Sequence, residues 1–270
     1  MKSTITFVIP CFNEELRLDP VGFRAFLAYP NLRLLFVDDG STDRTRQALE
    51  ALCGQMRGRA ELLSLSENQG KGEAVRQGML LAIRQGSELV GFFDADLATP
   101  HEEIWRLATT IEETHAQAVM GARVATLGTD IRRRAIRHYL GRVFATFASL
   151  VLDLTVYDTQ CGAKLFRASP VLTATLSDPF VARWAFDVEL LGRLLLGSAG
   201  APALATGQLL EMPLRRWTHM DNEKLRFFAF PLLGIELIKI RLSLARWRRR
   251  RDRVLEEGDK AAVARGQATG

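Results

Sequence analysis

Three cysteines, Cys11, Cys53 and Cys161, are an odd count without paired spacing, so the sequence suggests neither a disulfide framework nor a cysteine zinc site. The four histidines are scattered and are assigned no role, and HEEIW, from His101 to Trp105, lacks the second histidine of a zincin helix. No stretch reaches the ~20 uncharged residues that a membrane-spanning helix requires. The nearest approach, Phe227 to Ile238, is interrupted by Pro231, Gly234 and Glu236. The opening MKSTITFVIPCFNEE reaches acidic residues too soon for a secretory signal and reads as a strand, so a reducing cytoplasm is the expected setting. A GxGxxG run is missing, which argues against a dinucleotide-binding enzyme. The GKG at Gly70 to Gly72 has neither the spacing nor the following Ser/Thr of a Walker A loop. There is no internal repeat and no low-complexity segment.

What remains is ordinary globular material with localised charge. The 270 residues suit one large α/β domain, with 47% hydrophobic and 25% charged residues. Net charge is only +5, yet arginines gather in two places. Arg132, Arg133, Arg134, Arg137 and Arg142 lie within one predicted helix, and seven arginines stand between Arg241 and Arg253. Such clusters fit an anionic partner or two solvated helix faces.

The first half alternates strands (Ile5 to Pro10, Leu32 to Val37, Leu62 to Leu65, Leu89 to Phe93, Ala118 to Gly121) with helices (Leu18 to Ala28, Thr42 to Arg57, Gly72 to Gln85, Glu102 to Glu113). Ser41 or Thr42 is the expected cap of the second helix. Strands separated by helices of this length pair in parallel, and ligands then sit beyond their carboxyl ends. Three of those ends are polar or acidic: Asn13 and Glu14, Asp38 and Asp39, Asp94 and Asp96. The second half has a helix from Ile131 to Leu152, DTQCGAKLFR from Asp158 to Arg167, RWAFDVELLGRLL from Arg183 to Leu195, a strand from Gln208 to Pro213 and a last basic-apolar helix. The residues after Arg253 read as a frayed tail.

In FFDADLATP, Asp94 and Asp96 project to one side of an extended chain across Ala95. Two carboxylates, completed by diphosphate and water oxygens, suit Mg²⁺ or Mn²⁺, which would neutralise a leaving diphosphate. Asp38 or Asp39 in VDDGSTDRT can accept from a base N–H or a ribose hydroxyl. In NQGKGEAVRQG, Lys71 and the helix start could face a nucleotide.

IPCFNEE, VDDGSTDRT, NQGKGEAVRQGM and FFDADLATP, in this order, resemble the nucleotide-binding half of glycosyltransferase family 2. DTQCGAKLF, RWAFDVELL and Glu211, Pro213 and Trp217 resemble its dolichyl-phosphate β-glucosyltransferase branch, with dolichyl-phosphate mannose synthases next nearest. The resemblance implies a single GT-A, Rossmann-like domain over residues 1–220, with a mostly parallel sheet flanked by helices. Within it, residues 1–121 would be the nucleotide-sugar and metal half and 122–220 the acceptor half. A basic amphipathic membrane-interface helix would occupy 221–253 and a flexible tail 254–270. Pro10, Asn13, Glu14, Asp38, Asp39, Lys71, Asp94 and Ala95 fall at nucleotide-sugar positions, and Asp94 and Asp96 at the metal. Asp158, Gln160, Cys161, Lys164, Arg183, Trp184 and Asp187 match acceptor-side motifs, while Arg123 and Arg132 to Arg134 lie where mannose synthases bind lipid phosphate; the predicted helix from Ile131 to Leu152, with Arg132 and Arg137, is expected to present its arginines to the same phosphate. Ala98 stands where those synthases often place a metal-contacting Gln, Leu97 where the eukaryotic glucosyltransferases carry Gly, and Ala163 where Phe is usual. Phe180 replaces the first Gln of the QxxRW of processive synthases, so a processive enzyme is not expected.

The resemblance implies an inverting, metal-dependent transfer of hexose to polyprenyl or dolichyl phosphate, with UDP-glucose the expected donor and GDP-mannose the next candidate. A phosphate monoester is already largely a dianion at neutral pH and needs no base. The rivals are a transferase acting on a hydroxyl, with Asp187 or Asp158 as base, and a silent sugar-nucleotide or lipid binder. Attachment to an anionic membrane on its cytoplasmic face is expected, and no nucleic acid partner.

Overall fold

Strands β1 (Ile5–Cys11) and β2 (Leu32–Asp38) are buried along almost their whole length. Because alternate side chains face opposite ways, Ile5, Phe7, Ile9, Leu34 and Phe36 enter one core while Val8, Leu35 and Val37 enter another. Burial on both faces is why these strands read as unbroken apolar runs. The computed structural model describes residues 3–132, 135–218 and 229–268.

The remaining elements are α1 (Pro20–Arg24), α2 (Thr45–Gln55), β3 (Ala60–Ser64), α3 (Lys71–Arg84), β4 (Leu89–Phe92), α4 (His101–Glu113), β5 (Ala118–Ala122), β6 (Asp130–Arg132), α5 (Ala135–Leu152), β7 (Lys164–Arg167), α6 (Pro170–Ser177), α7 (Phe186–Leu196), β8 (Leu209–Pro213), β9 (Arg216–Thr218) and α8 (Ala229–Ala268). Seven strands form one sheet in the order β3-β2-β1-β4-β7-β5-β8. Only β7 runs antiparallel to its neighbours; the other pairings are parallel. The mostly parallel sheet flanked by helices is the expected architecture.

Helices α1, α2 and α4 bring Phe23, Leu49, Leu52, Ile104 and Leu107 to one face of the sheet. Helices α3, α6 and α7 cover the other with Val75, Met79, Leu172, Phe186 and Leu190. A third core joins α5, α7 and α8 through Phe144, Ala148, Val188, Leu191, Leu237, Ile240 and Leu244. The last helix is therefore packed on the body along one face. Among the described residues, no helix is long and apolar enough to cross a membrane.

Four details correct the sequence expectations. Strand β7 lies inside DTQCGAKLFR, where four residues were too few to announce it. The helix expected from Ile131 begins at Ala135, because Asp130–Arg132 instead pairs with Arg216–Thr218 as a parallel ribbon. Helix α2 begins at Thr45, since Ser41 and Thr42 bond to Asn13, and Asp43 accepts from Thr45 N at 2.9 Å. The frayed tail after Arg253 is instead helical to Ala268, in keeping with its Ala, Glu, Lys and Arg content. Arg133, Arg134, residues 221–226, Phe227 and Phe228 lie outside the described residues, as do the side chains of Arg132 and Arg137.

Candidate active site

The loops after β1 and β2 are tied together by short polar side chains. Asn13, at φ 52°, accepts from Thr42 N at 2.9 Å and donates its own N–H to Ser41 Oγ at 3.0 Å. Glu14 N donates to Thr45 Oγ1 at 2.7 Å, and Asp38 Oδ1 accepts from Ser41 N at 3.1 Å. Asp39 reaches further. It accepts from Gln69 N at 2.8 Å, Gly70 N at 2.9 Å and Asn68 Nδ2 at 3.1 Å. Burial, with Asp38 adding to it, raises its pKa above the ordinary carboxylate value despite those donors. Asp39 thus holds the turn that enters α3. Gly70 there has φ 98°, a region that favours glycine, and a Cβ would meet Arg183 Nε at 2.9 Å.

That turn aims Lys71 at the tip of β4, where its Nζ pairs with Asp94 Oδ1 at 2.5 Å. Burial pulls the ammonium down, but Asp94 and Asp187 outweigh it and hold Lys71 above its ordinary value. Ala95 is buried between the two aspartates, and Asp96 accepts from Ala98 N at 3.0 Å. Burial, and then the neighbouring charge of Asp94, push Asp96 up to about 6. Lys71 meets one of these two carboxylates, and the charge of Asp94 still weighs on Asp96, an arrangement that suits a further cation between them. Among the described residues no cluster of three or more His, Cys, Asp or Glu side chains could hold a metal ion. The protein would thus supply two carboxylates, and diphosphate and water the remaining oxygens. Asp94 keeps 39% of its side chain exposed, open to such partners.

The DTQCG segment packs against this tip. A Cβ at Gly162 would lie 2.0 Å from Asp94 Oδ2, so only glycine permits the approach. Asp158 is gripped by Arg123 through Nε at 2.7 Å and a terminal nitrogen at 2.8 Å, a bidentate pair that raises the guanidinium further against the pull of burial. Arg123 also lies over the Trp217 ring at 5.3 Å. Glu211 of the E-x-P segment accepts from Tyr157 N and Asp158 N, each at 2.8 Å, which explains why that segment accompanies the motif. Fully buried Lys164 donates to Asp187 Oδ1 and Cys161 O, both at 2.6 Å. Burial raises Asp187 and outweighs Lys164 and Lys71, and it pushes the Cys161 thiol up to about 11. Gln160 Nε2 is buried without a hydrogen-bond partner among the described residues.

Arg183 returns to the nucleotide half, donating to Asn68 Oδ1 at 2.8 Å, and Trp184 is 48% exposed beside it. Apart from Arg132 and Arg137, whose side chains lie outside the described residues, these contacts link expected site residues of both halves, and Pro10, near the end of β1, is in register with Val37. Arg123, expected to face the lipid phosphate, has its guanidinium paired with Asp158. Sequence reading missed Asn68, Gly162 and Glu236. Gly162 lay inside a recognised motif, and Glu236 announced itself only as a carboxylate in an apolar run.

The model of the family described as Glycosyl transferase family 2 matches residues 6–172. The dolichyl-phosphate beta-glucosyltransferase of Drosophila melanogaster is 32% identical, over 90% of this chain and 77% of its own length. That of Saccharomyces cerevisiae is 31% identical, over 89% of this chain and 72% of its own. A crystal structure of Mycobacterium tuberculosis glucosyl-3-phosphoglycerate synthase with Mn²⁺, UDP-glucose and glycerol 3-phosphate matches with a TM-score of 0.64 at 20% identity, covering 90% of this chain and 80% of that one. The last likeness shows a common fold.

Proposed function

The chain belongs to glycosyl transferase family 2 and is an inverting glycosyltransferase, and from that premise we propose that it transfers glucose from UDP-glucose to the phosphate of a dolichyl or other polyprenyl phosphate. The observation that carries this reading is the engagement of both candidate bases. Asp158 is forked by Arg123 and Asp187 is buried against Lys164, so neither stands ready to take a proton from a hydroxyl. An acceptor that brings its own negative charge needs no such base. The similarity to dolichyl-phosphate beta-glucosyltransferases over most of the chain supports the same acceptor and sugar.

A phosphate oxygen attacks the anomeric carbon from the face opposite the diphosphate. The new C–O bond forms as the old one breaks, UDP leaves with the electron pair, and no proton moves. The configuration inverts, giving a β-linked product from an α-linked donor. Asp94 and Asp96 would hold Mg²⁺ or Mn²⁺, which when bound supplies Lewis-acid neutralisation of the departing diphosphate. Lys71, already beside Asp94, adds a positive charge at the same place. The loops of Pro10, Asn13, Glu14, Asp38, Asp39 and Ala95 frame the nucleotide. Arg183, Trp184, Gln160 and the Arg123–Asp158 pair face the acceptor, and Arg132 and Arg137 belong to the same basic segment.

Two helices of the third core support a reading in which the protein lies at a membrane. Ile235, Ile238 and Leu242 on α8, and Val143, Phe147 and Leu150 on α5, are exposed large apolar residues at helical spacing. Exposed Lys239, Arg241 and Arg246 accompany them. This is the composition of a surface that lies on an anionic bilayer, here its cytoplasmic face.

The test compares polyprenyl phosphate with the matching polyprenol, using UDP-glucose and GDP-mannose as donors and release of nucleoside diphosphate as readout. Transfer from UDP-glucose to the phosphate, with little to the alcohol, is expected. Equal transfer to the alcohol would mean that a protein base exists and overturn the reading. Preference for GDP-mannose would reassign the donor.

A further inference from the structure

Five successive backbone N–H groups, those of residues 181 to 185, are all taken by two carboxylates. Glu189 Oε2 accepts from Val181 N at 2.9 Å and Ala182 N at 3.3 Å. Glu236 accepts from Arg183 N at 3.1 Å through Oε1, and from Trp184 N at 3.3 Å and Ala185 N at 2.8 Å through Oε2. The first carboxylate belongs to α7 itself, where Arg193 neutralises it at 2.7 Å. The second comes from a different element, the apolar stretch of α8.

Glu236 is half-buried, and a carboxylate withdrawn from water is costly unless it is partnered; its partners here are main-chain donors at the entry to α7. Two of the three residues it grips, Arg183 and Trp184, match acceptor-side motifs. Arg183 extends from that backbone to Asn68 and packs over Gly70, next to Lys71. Trp184 projects half-exposed from the same turn. The opposite end of the arrangement, the Asn68–Gly70 turn, is held separately by Asp39. Loss of Glu236 should therefore loosen the acceptor segment while sparing the donor loop. The helix that carries Glu236 also presents Ile235 and Ile238 outward and, further on, donates from Ser243 Oγ to Glu189 at 2.8 Å, so Glu236 is the side chain that links this helix directly to the amides of residues 183 to 185.

We propose that Glu236 is a positioning residue, which fixes the Arg183–Trp184 segment for the acceptor and makes acceptor recognition depend on the seating of α8. The proposal rests on the polyprenyl phosphate reading above. The experiment uses the full chain as wild type, Glu236→Ala and Glu236→Gln. It measures initial rates against polyprenyl phosphate at saturating UDP-glucose, UDP binding by calorimetry, and amide hydrogen exchange at residues 183–185. For Glu236→Ala the acceptor KM should rise about tenfold, equivalent to about 1.4 kcal/mol. Its kcat should stay within about twofold and UDP affinity should be unchanged. Exchange at residues 183–185 should quicken at least about tenfold, as expected when local opening becomes easier. Glu236→Gln keeps the shape and one carbonyl acceptor, so it should recover part of both effects. An unchanged acceptor KM, a parallel loss of UDP affinity, or unchanged exchange at these amides would overturn the proposal. Should Glu236→Ala fail to fold, Glu236→Gln decides by the same three readouts. Should the wild type itself not use polyprenyl phosphate, the acceptor reading fails, and the exchange comparison still decides whether Glu236 holds the segment.

Discussion

At the tips of β1 and β2, polar side chains hold backbone: Asn13 takes Thr42 N, Thr45 takes Glu14 N, and Asp39 takes Gln69 N and Gly70 N. Around β7 and α7, several charged side chains hold one another: Arg123 with Asp158, Lys164 with Asp187, Arg193 with Glu189. The difference has a physical origin. Loops at the ends of parallel strands expose backbone N–H groups that short Asn, Ser, Thr and Asp side chains can satisfy locally. The acceptor half instead packs charge beneath side chains, where an opposite charge, backed by main-chain partners, makes burial tolerable. Between the two stand Asp94 and Asp96, which are neither fully engaged nor well separated. A motif residue can thus serve the ligand or the scaffold, and its partners tell which.

The strand tip of β4 should be the most sensitive point of the molecule. Asp96→Ala should abolish turnover and Asp94→Ala nearly so, each lowering kcat by at least about a hundredfold. Folding, followed by circular dichroism, should be little changed. Activity that resists a chelator, or a fully active Asp96→Ala protein, would remove the metal from the account.

Lys164 should behave in the opposite way. Its removal leaves Asp187 buried without its cation, a change that typically costs about 3–5 kcal/mol. Urea denaturation of Lys164→Met should show that loss. The double change Lys164→Met with Asp187→Leu should recover most of it, because an apolar pair of similar volume replaces the ion pair. A single variant as stable as the wild type would mean that water reaches Asp187 and that the pair does not anchor this half.

These two cases also show how far the sequence could be read. The strands of the first half, the DxD tip and the turn before α3 were legible because each is built from neighbours in the chain with a period or a spacing. Arg123 was legible as a site residue but not as the partner of Asp158, since 35 positions separate them. Glu236 was legible only as an interruption. The β6–β9 ribbon and β7 were hidden because strands of three or four residues carry too little pattern, and their pairing is decided by distant segments.

The proton on Asp96 carries the same contrast into pH. Asp96 binds its proton more tightly in the folded protein, at about 6 against an ordinary 3.8. Its contribution to stability is therefore fully present below the ordinary value and is lost as pH rises through about 6. Metal-free protein should gain at least about 1 kcal/mol on acidification from pH 7 to pH 5 relative to Asp96→Asn. The same variant should be more stable than wild type at neutral pH and yet inactive, the reverse of Lys164→Met. Denaturant titrations at several pH values supply the check. Parallel curves for both proteins would show that Asp96 carries no such strain.

The smallest effect belongs to the surface of α8, and it separates fold from membrane. Arg250 pairs with Asp178 at 2.8 Å, but the two side chains are 73% and 41% exposed, so the pair contributes less than about 1 kcal/mol. Arg193 carries the same guanidinium in a different setting, buried and donating to the carbonyls of Thr175, Asp178 and Pro179. The fold depends on the second and has little use for the first. A bilayer would reverse that ranking, since each cation near an anionic surface contributes about 1 kcal/mol and screening by salt removes it. Arg250→Ala should therefore leave the denaturation midpoint nearly unchanged and weaken sedimentation with phosphatidylserine vesicles up to about fivefold at low salt, the equivalent of that 1 kcal/mol. At high salt the variant and wild type should converge. If Arg250→Ala loses stability while vesicle binding stays the same, the arginines of α8 brace the protein, and its contact with the membrane lies elsewhere.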